Sequence, residues 1–153
     1  MSRRDQITMT EQEVSAFLQD QRVVTVATNG PRGWPHVMPL WYIVQADQIW
    51  AWTYAKSQKV RNLERDPRAT LQIETGEQYQ KLRGVMIEAD VVVHRDLELV
   101  TDTGAEILTR YGSRAVGAQF MDVVRAQAAK RVALEFVPER IASWDHRKLG
   151  GVY

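Results

Sequence analysis

The chain has 153 residues, 44% of them hydrophobic and 25% charged, with a formal net charge of +1. It is long enough to bury a real core, and residues 1–153 read as one globular domain, with too little net charge for a dedicated nucleic-acid binder. Cysteine is absent, which removes disulfides, thiolate metal sites and thiol catalysis and suits a reducing compartment.

The first ten residues, MSRRDQITMT, carry no apolar stretch of the signal-peptide kind. The longest apolar run, residues 37–44, falls far short of the roughly 20 needed to span a bilayer. A soluble, cytoplasmic protein is expected, with no membrane partner. Thr10 to Glu13 form a capping-box pattern. Val14, Phe17 and Leu18 then share one helical face, predicting a short helix that packs as a lid or plug. Residues 22–28, RVVTVAT, predict a strand, and residues 29–33 are turn chemistry, so the next strand pairs antiparallel with the first. That strand is expected over residues 34–44, interrupted by Pro35 and Pro39. A proline cannot donate to a ladder and belongs at an edge, a bulge or beside a ligand. For Pro39 two accounts stand: a barrel bulge, or backbone left free for a bound ring.

After a turn at residues 45–48, residues 49–54 are rich in aromatic and β-branched side chains and read as a strand. Ser57 is a good N-cap for a short helix whose Val60 and Leu63 share a face. Pro67 stops it, and residues 69–74 return as a strand. Residues 75–82 predict a hairpin loop and residues 84–94 a long strand. Residues 97–111 predict a helix closed by Gly112, and residues 115–130 a second one. Strands follow at residues 131–138 and 140–144, and residues 145–153 are expected to be irregular. Six or seven strands with inserted helices predict a mainly β chain, an antiparallel barrel with added helices rather than a doubly wound sheet.

The chemistry concentrates between residues 49 and 74. Lys56, Lys59, Arg61, Arg65 and Arg68 crowd one short segment. A helix start presents free amides and partial positive charge, so Ser57 and Lys59 could cradle one phosphate. The bland reading of the same residues is a solvated basic face. Trp50, Trp52 and Tyr54 add flat surfaces beside them. His36, His94 and His146 have no second ligand at zinc-motif spacing, so no metal site is expected. There is no G-x-S-x-G and no P-loop, and no carboxylate pair stands out for acid/base work. Catalytic side chains are therefore unassigned, and any redox chemistry would come from a bound cofactor.

The spacing T-x-x-x-S-x-K-x-x-N-L from Thr53, then D-P-R at residues 66–68, resembles the phosphate-binding core of the pyridoxamine 5′-phosphate oxidase-like split-barrel superfamily. The run K-V-R-N-L-E-R-D-P-R-A-T-L and the closing S-W-D-H-R-K-L-G-G-V-Y are similar to its flavin/deazaflavin branch, which uses coenzyme F420. The resemblance implies a six- to seven-stranded antiparallel split β-barrel of the FMN-binding type. It implies an oxidoreductase moving hydride between the deazaflavin and a small organic substrate. The alternatives are an FMN-binding oxidoreductase of the same fold, or a non-catalytic carrier or sensor. On this reading the phosphate sits on Ser57 and Lys59. The ring is bordered by Met38, Pro39, Leu40, Trp41, Trp52, Thr53 and Tyr54. Arg61, Arg65 or Arg68 would attract the acidic tail of F420. Trp144 and Arg147 would reach the cofactor of the other subunit, making the protein a homodimer with its site at the interface. Pyridoxamine phosphate oxidation itself is disfavoured, because residues 144–149 lack the R-x-H element which that substrate needs. A nucleic-acid-binding barrel is opposed by the weak net charge. The substrate is not assigned.

Overall fold

Val24, Val26 and Thr28 are buried along β1 (Val24–Asn29) and alternate with more exposed neighbours. Ala69, Leu71 and Ile73 do the same along β5 (Arg68–Thr75), as do Val85, Ile87, Ala89 and Val91 along β6 (Arg83–His94). This two-residue period turns one face of a curled sheet inward. In the computed structural model, which describes residues 1–152, seven strands form one antiparallel sheet in the order β2 (Pro35–Leu40), β1, β5, β6, β7 (Arg131–Asp145), β4 (Gln48–Tyr54), β3 (Ile43–Gln45). The inward face packs on Phe17 and Leu18 of α2 (Glu11–Asp20) and on Val60 and Leu63 of α3 (Gln58–Arg65). Helix α2 is thus the expected plug, and its capping box is present: Glu13 accepts from the Thr10 amide at 2.7 Å, and Thr10 Oγ1 accepts from the Glu13 amide at 3.2 Å. A shorter helix, α1 (Arg3–Ile7), precedes it on a second capping box between Ser2 and Asp5.

Residues 34–44 were expected as one interrupted strand, and the structure divides them between opposite edges of the sheet. β2 (Pro35–Leu40) pairs with β1, whereas β3 (Ile43–Gln45) pairs with β4 (Gln48–Tyr54). The cause is Tyr42. Its ring is fully buried, and its hydroxyl shares its hydrogen between the carbonyls of Leu18 at 2.6 Å and Gln21 at 3.0 Å. Its own amide donates to the Tyr111 hydroxyl, and its carbonyl accepts from Tyr111 and Arg110. A backbone bonded this way has left the ladder. Three Cα steps from Leu40 to Ile43 span at most about 11 Å, so the two sheet edges meet here and the sheet must curl. Pro35 and Pro39 lie on the edge strand β2, where a missing donor costs no ladder bond.

Residues 131–138 and 140–144 fuse into one strand, β7 (Arg131–Asp145). Glu88 faces Arg140 while Ala89 faces Pro138, so Glu139 is an extra residue in a bulge. Pro138 cannot donate, and a bulge is where a ladder accommodates it. The helix expected over residues 97–111 is α4 (Leu97–Tyr111); the next one is trimmed to α5 (Ala118–Ala128). Short 3-10 turns occupy Tyr79–Lys81, within the loop expected at 75–82, and His146–Leu149, within the tail expected to be irregular. Tyr153, the end of that tail, lies outside the described residues.

Helices α4 and α5 cover only part of the sheet's outer face. They bury Ile43, Trp52 and Ala133 against Val100, Ile107 and Ala128. The outer row Ala27–Thr70–Glu88–Arg140 stays half-exposed to exposed. Among the described residues no helix is long and apolar enough to cross a membrane.

Candidate functional site

β4 brings Thr53 to the inner face of the sheet, and α3 starts four residues later on Ser57. The Ser57 hydroxyl accepts the Val60 amide at 3.4 Å, and the Ser57 amide returns to the Tyr54 carbonyl at 3.0 Å. This tight turn points Lys59, in the first turn of α3, back at β4. Its Nζ donates to Thr53 Oγ1 at 3.1 Å, and the residue is only 7% exposed. Lys59 enters no ion pair among the described residues, and burial holds its pKa below the ordinary 10.5. A buried ammonium normally has a carboxylate. Here it has one hydroxyl and an open cleft, which suits an anion arriving from outside.

That cleft, of about 520 Å³, brings together Pro39, Leu40, Trp41, Trp52, Thr53, Tyr54 and Lys59. It sits where the curled sheet's two edges approach, with the end of β2 on one side and the end of β4 on the other. Trp41 is 49% exposed, but its ring is not loose. It stacks on Tyr111 with centroids 4.7 Å apart and planes 12° from parallel. Trp52 is buried against Gly104 of α4, where a Cβ would come within 2.1 Å of the indole.

Five of the residues expected at the cofactor do not line this cleft, and two of them, Trp144 and Arg147, were expected at the cofactor of the other subunit. Met38 pairs with Val26 of β1, two pairs along the strand from Leu40, and does not line the cleft. Ser57 caps α3, its hydroxyl accepting the Val60 amide and keeping its own hydrogen to give, and Arg61 is exposed on that helix. Trp144 lies across Gly84 on β6, and Arg147 makes a two-point contact with Asp145 at 2.9 and 2.7 Å. That contact, a hydrogen bond from Arg147 above all, keeps the Asp145 carboxyl below its usual range. Neither Trp144 nor Arg147 lines the cleft of this chain.

Two arginines expected to draw an acidic tail are committed locally. Arg65 donates to the Asn29 carbonyl. Arg68 grips Asp66 through two nitrogens, and this, with a bond from Asn29, holds the Asp66 carboxyl far below the ordinary range. Lys56 and Arg61 are left without an ion pair among the described residues. His36 and His146 line no part of the cleft; each has a buried Nδ1 without a hydrogen-bond partner among the described residues. His94 contacts Glu135 at 3.1 Å and stacks on Trp50. No group of three metal-ligating side chains occurs among the described residues.

The sequence reading missed Arg131. Its guanidinium lies 4.7 Å from the Trp52 ring centroid and 4.2 Å from that of Tyr54, and it donates to the Gln127 carbonyl at 3.2 Å. It is the second cation in the cleft wall. The only signal for it is the β4–β7 register that sets Arg131 opposite Tyr54, and that pairing is not local. Asn62, the asparagine of the T-x-x-x-S-x-K-x-x-N-L spacing, donates through its amide to Thr28 Oγ1 at 3.0 Å and accepts from Gln58 at 2.8 Å, fastening α3 to β1.

A family model for pyridoxamine 5′-phosphate oxidase matches residues 10–145. No curated protein matches the sequence. Among solved structures, a conserved hypothetical protein from Mycobacterium tuberculosis shares 38% identity over 100% of this chain and 95% of its own, with a TM-score of 0.90. An F420 reductase is similar in fold at 19% identity, covering 84% of this chain and 94% of its own, with a TM-score of 0.68. A FAD-binding protein from Mesorhizobium loti gives 20% identity, 89% and 94% coverage and a TM-score of 0.68. The family match over nearly the whole chain and the curled seven-stranded sheet agree, and the chain belongs to the pyridoxamine 5′-phosphate oxidase-like split-barrel superfamily.

Proposed function

We propose that this chain is an oxidoreductase that holds coenzyme F420 in the cleft and passes hydride to or from a small organic molecule. The observation that carries the reading is Lys59: a buried ammonium with no carboxylate partner among the described residues, opening onto a cleft walled by Trp41, Trp52 and Tyr54. The cofactor's phosphate would sit on Lys59 beside Arg131 and the start of α3. The flat ring would lie against Pro39, Leu40, Trp41 and Thr53. When bound, the deazaflavin supplies the hydride chemistry; the chain binds, orients and keeps water from the ring. Tyr54 is the one proton-donor candidate among Tyr54, His36 and His146 that lines the cleft. Lys56 and Arg61, exposed and without an ion pair among the described residues, favour F420 and its acidic tail over FMN. The F420 reductase and the FAD-binding protein of the same fold support a flavin-type ligand in general.

A homodimer fits this reading. The cleft is open on one side, and Trp144 and Arg147 stand away from their own protomer's cleft. A second copy packed on the uncovered outer row would close the cleft with those residues.

Titrating the tryptophan fluorescence with F420 and with FMN tests the assignment. Saturable quenching by F420 is expected. Lys59→Met removes a charge-assisted contact worth about 1.5–3 kcal/mol, so affinity should fall roughly 10- to 150-fold. Micromolar FMN affinity with none for F420 overturns the choice of cofactor. The scarcity of proton donors in the cleft favours a second reading, a non-catalytic carrier or sensor. Steady-state oxidation of reduced F420 by enones or quinones separates the two.

A further inference from the structure

A cavity larger than the cleft lies away from it, in the split of the barrel. β4 pairs with β7 from Ile49–Phe136 to Tyr54–Arg131, and beyond that stretch β7 keeps β6 on one side and no strand on the other. Helices α1 and α2 run past this open flank. They are tied down by the Met9 amide, which donates to Ser143 Oγ at 3.0 Å, and by Lys148, whose Nζ donates to the Thr8 carbonyl at 2.9 Å and to Glu13 at 2.6 Å. Between roof and barrel is a cavity of about 710 Å³.

Its floor is the barrel core itself: Ile49, Leu71, Ile87 and Phe136, each 4% exposed or less. Ile141 belongs to the same inward row as Val26, Leu71 and Ile87, yet it is 48% exposed. An inward isoleucine at that exposure means this end of the barrel is unfilled. The rim carries two formal charges of each sign, Arg4 and Arg140 against Glu11 and Asp47; Arg140 also contacts Glu88 at 3.4 Å. Its neutral polar groups have bonding capacity in hand. Ser15 and Gln48 have no side-chain hydrogen bond among the described residues, and Ser143 accepts from Met9 while keeping its own hydrogen to give. An apolar floor, a rim without net charge and a few convergent polar groups, in a barrel mouth of this volume, are the marks of a small-molecule site.

We propose that the split is a second ligand site, distinct from the cleft. It takes an uncharged molecule with an apolar body on Leu71, Ile87 and Phe136 and a hydrogen-bonding end at Ser15, Gln48 and Ser143. The proposal does not depend on which cofactor the cleft holds.

The test uses N-phenyl-1-naphthylamine, an uncharged apolar fluorophore, titrated into the full-length protein. A saturable rise in emission with one site per chain is expected. Ser15→Phe, which fills the cavity from the half-buried face of α2, and Ile141→Glu, which charges its floor, should each weaken binding at least tenfold. Trp41→Ala, in the cleft, should leave it unchanged. Circular dichroism identifies which variants fold, and either cavity variant suffices. Absence of saturable binding, retention of binding in a folded cavity variant, or its loss in Trp41→Ala overturns the proposal.

Discussion

Lys59 and Tyr42 are both perturbed by burial, and they respond to pH in opposite ways. Burial lowers the Lys59 pKa from 10.5, so the folded chain releases that proton at a lower pH than the unfolded chain does. Stability therefore rises with pH between the two values, because keeping a buried ammonium charged is costly. Anion binding has the reverse dependence, since only the protonated amine attracts a phosphate. Cofactor affinity should fall in the alkaline range below pH 10.5, and Lys59→Met should abolish that slope in a titration at several pH values. Tyr42 is pushed up from 10.0 to about 12, chiefly by burial. Its contribution to stability is complete below pH 10 and is lost as pH rises through about 12. Tyr42→Phe should flatten the alkaline limb of the stability curve, measured by urea unfolding, and cost about 1 kcal/mol. The cost stays small because Arg110 also donates to the Leu18 and Gln21 carbonyls. A variant with unchanged alkaline unfolding would mean that another group governs that limb.

At the level of elements, α4 is the mounting for both cleft tryptophans, Gly104 under Trp52 and Tyr111 under Trp41. Gly104→Ala gains about 1 kcal/mol of helix propensity. The added methyl would lie 2.1 Å from a buried ring, and overpacking of that kind costs about 1–3 kcal/mol. A net loss is expected in thermal melts, together with a changed near-ultraviolet tryptophan signal. A higher melting temperature would show that Trp52 has room to shift. Local elements were legible in the sequence. The Thr10–Glu13 box, the Ser57 cap and the 97–111 helix rest on contacts three or four residues apart, and each is where the pattern put it. The division of residues 34–44 was not legible, because Tyr42 is pulled off the ladder by Arg110 and Tyr111, far along the chain. The site divides the same way. Thr53 and Lys59 followed from one local motif, while Arg131 required knowing that β7 would pair with β4. Arg65 and Arg68 were readable as cations, but their partners Asn29 and Asp66 were not readable as partners.

The whole molecule leaves one outer flank of its sheet without helices, and the proposed dimer would use it. Sedimentation velocity should then show two chains per particle. Ala27→Arg, in the middle of the half-exposed outer row, should shift the particle toward one chain and weaken cofactor binding with it. A monomeric variant with undiminished affinity would separate the cleft from any partner. The order of the sheet has a further consequence, for the making of the protein. The strand synthesised last, β7, lies between β6 and β4. A nascent chain therefore carries β3 and β4 unattached to the rest of the sheet until Arg131–Phe136 leaves the ribosome, and Ile49 waits for Phe136. Pairings this distant in sequence make closure slow, and in that interval the exposed edges of β4 and β6 are the surfaces a chaperone would have to shield.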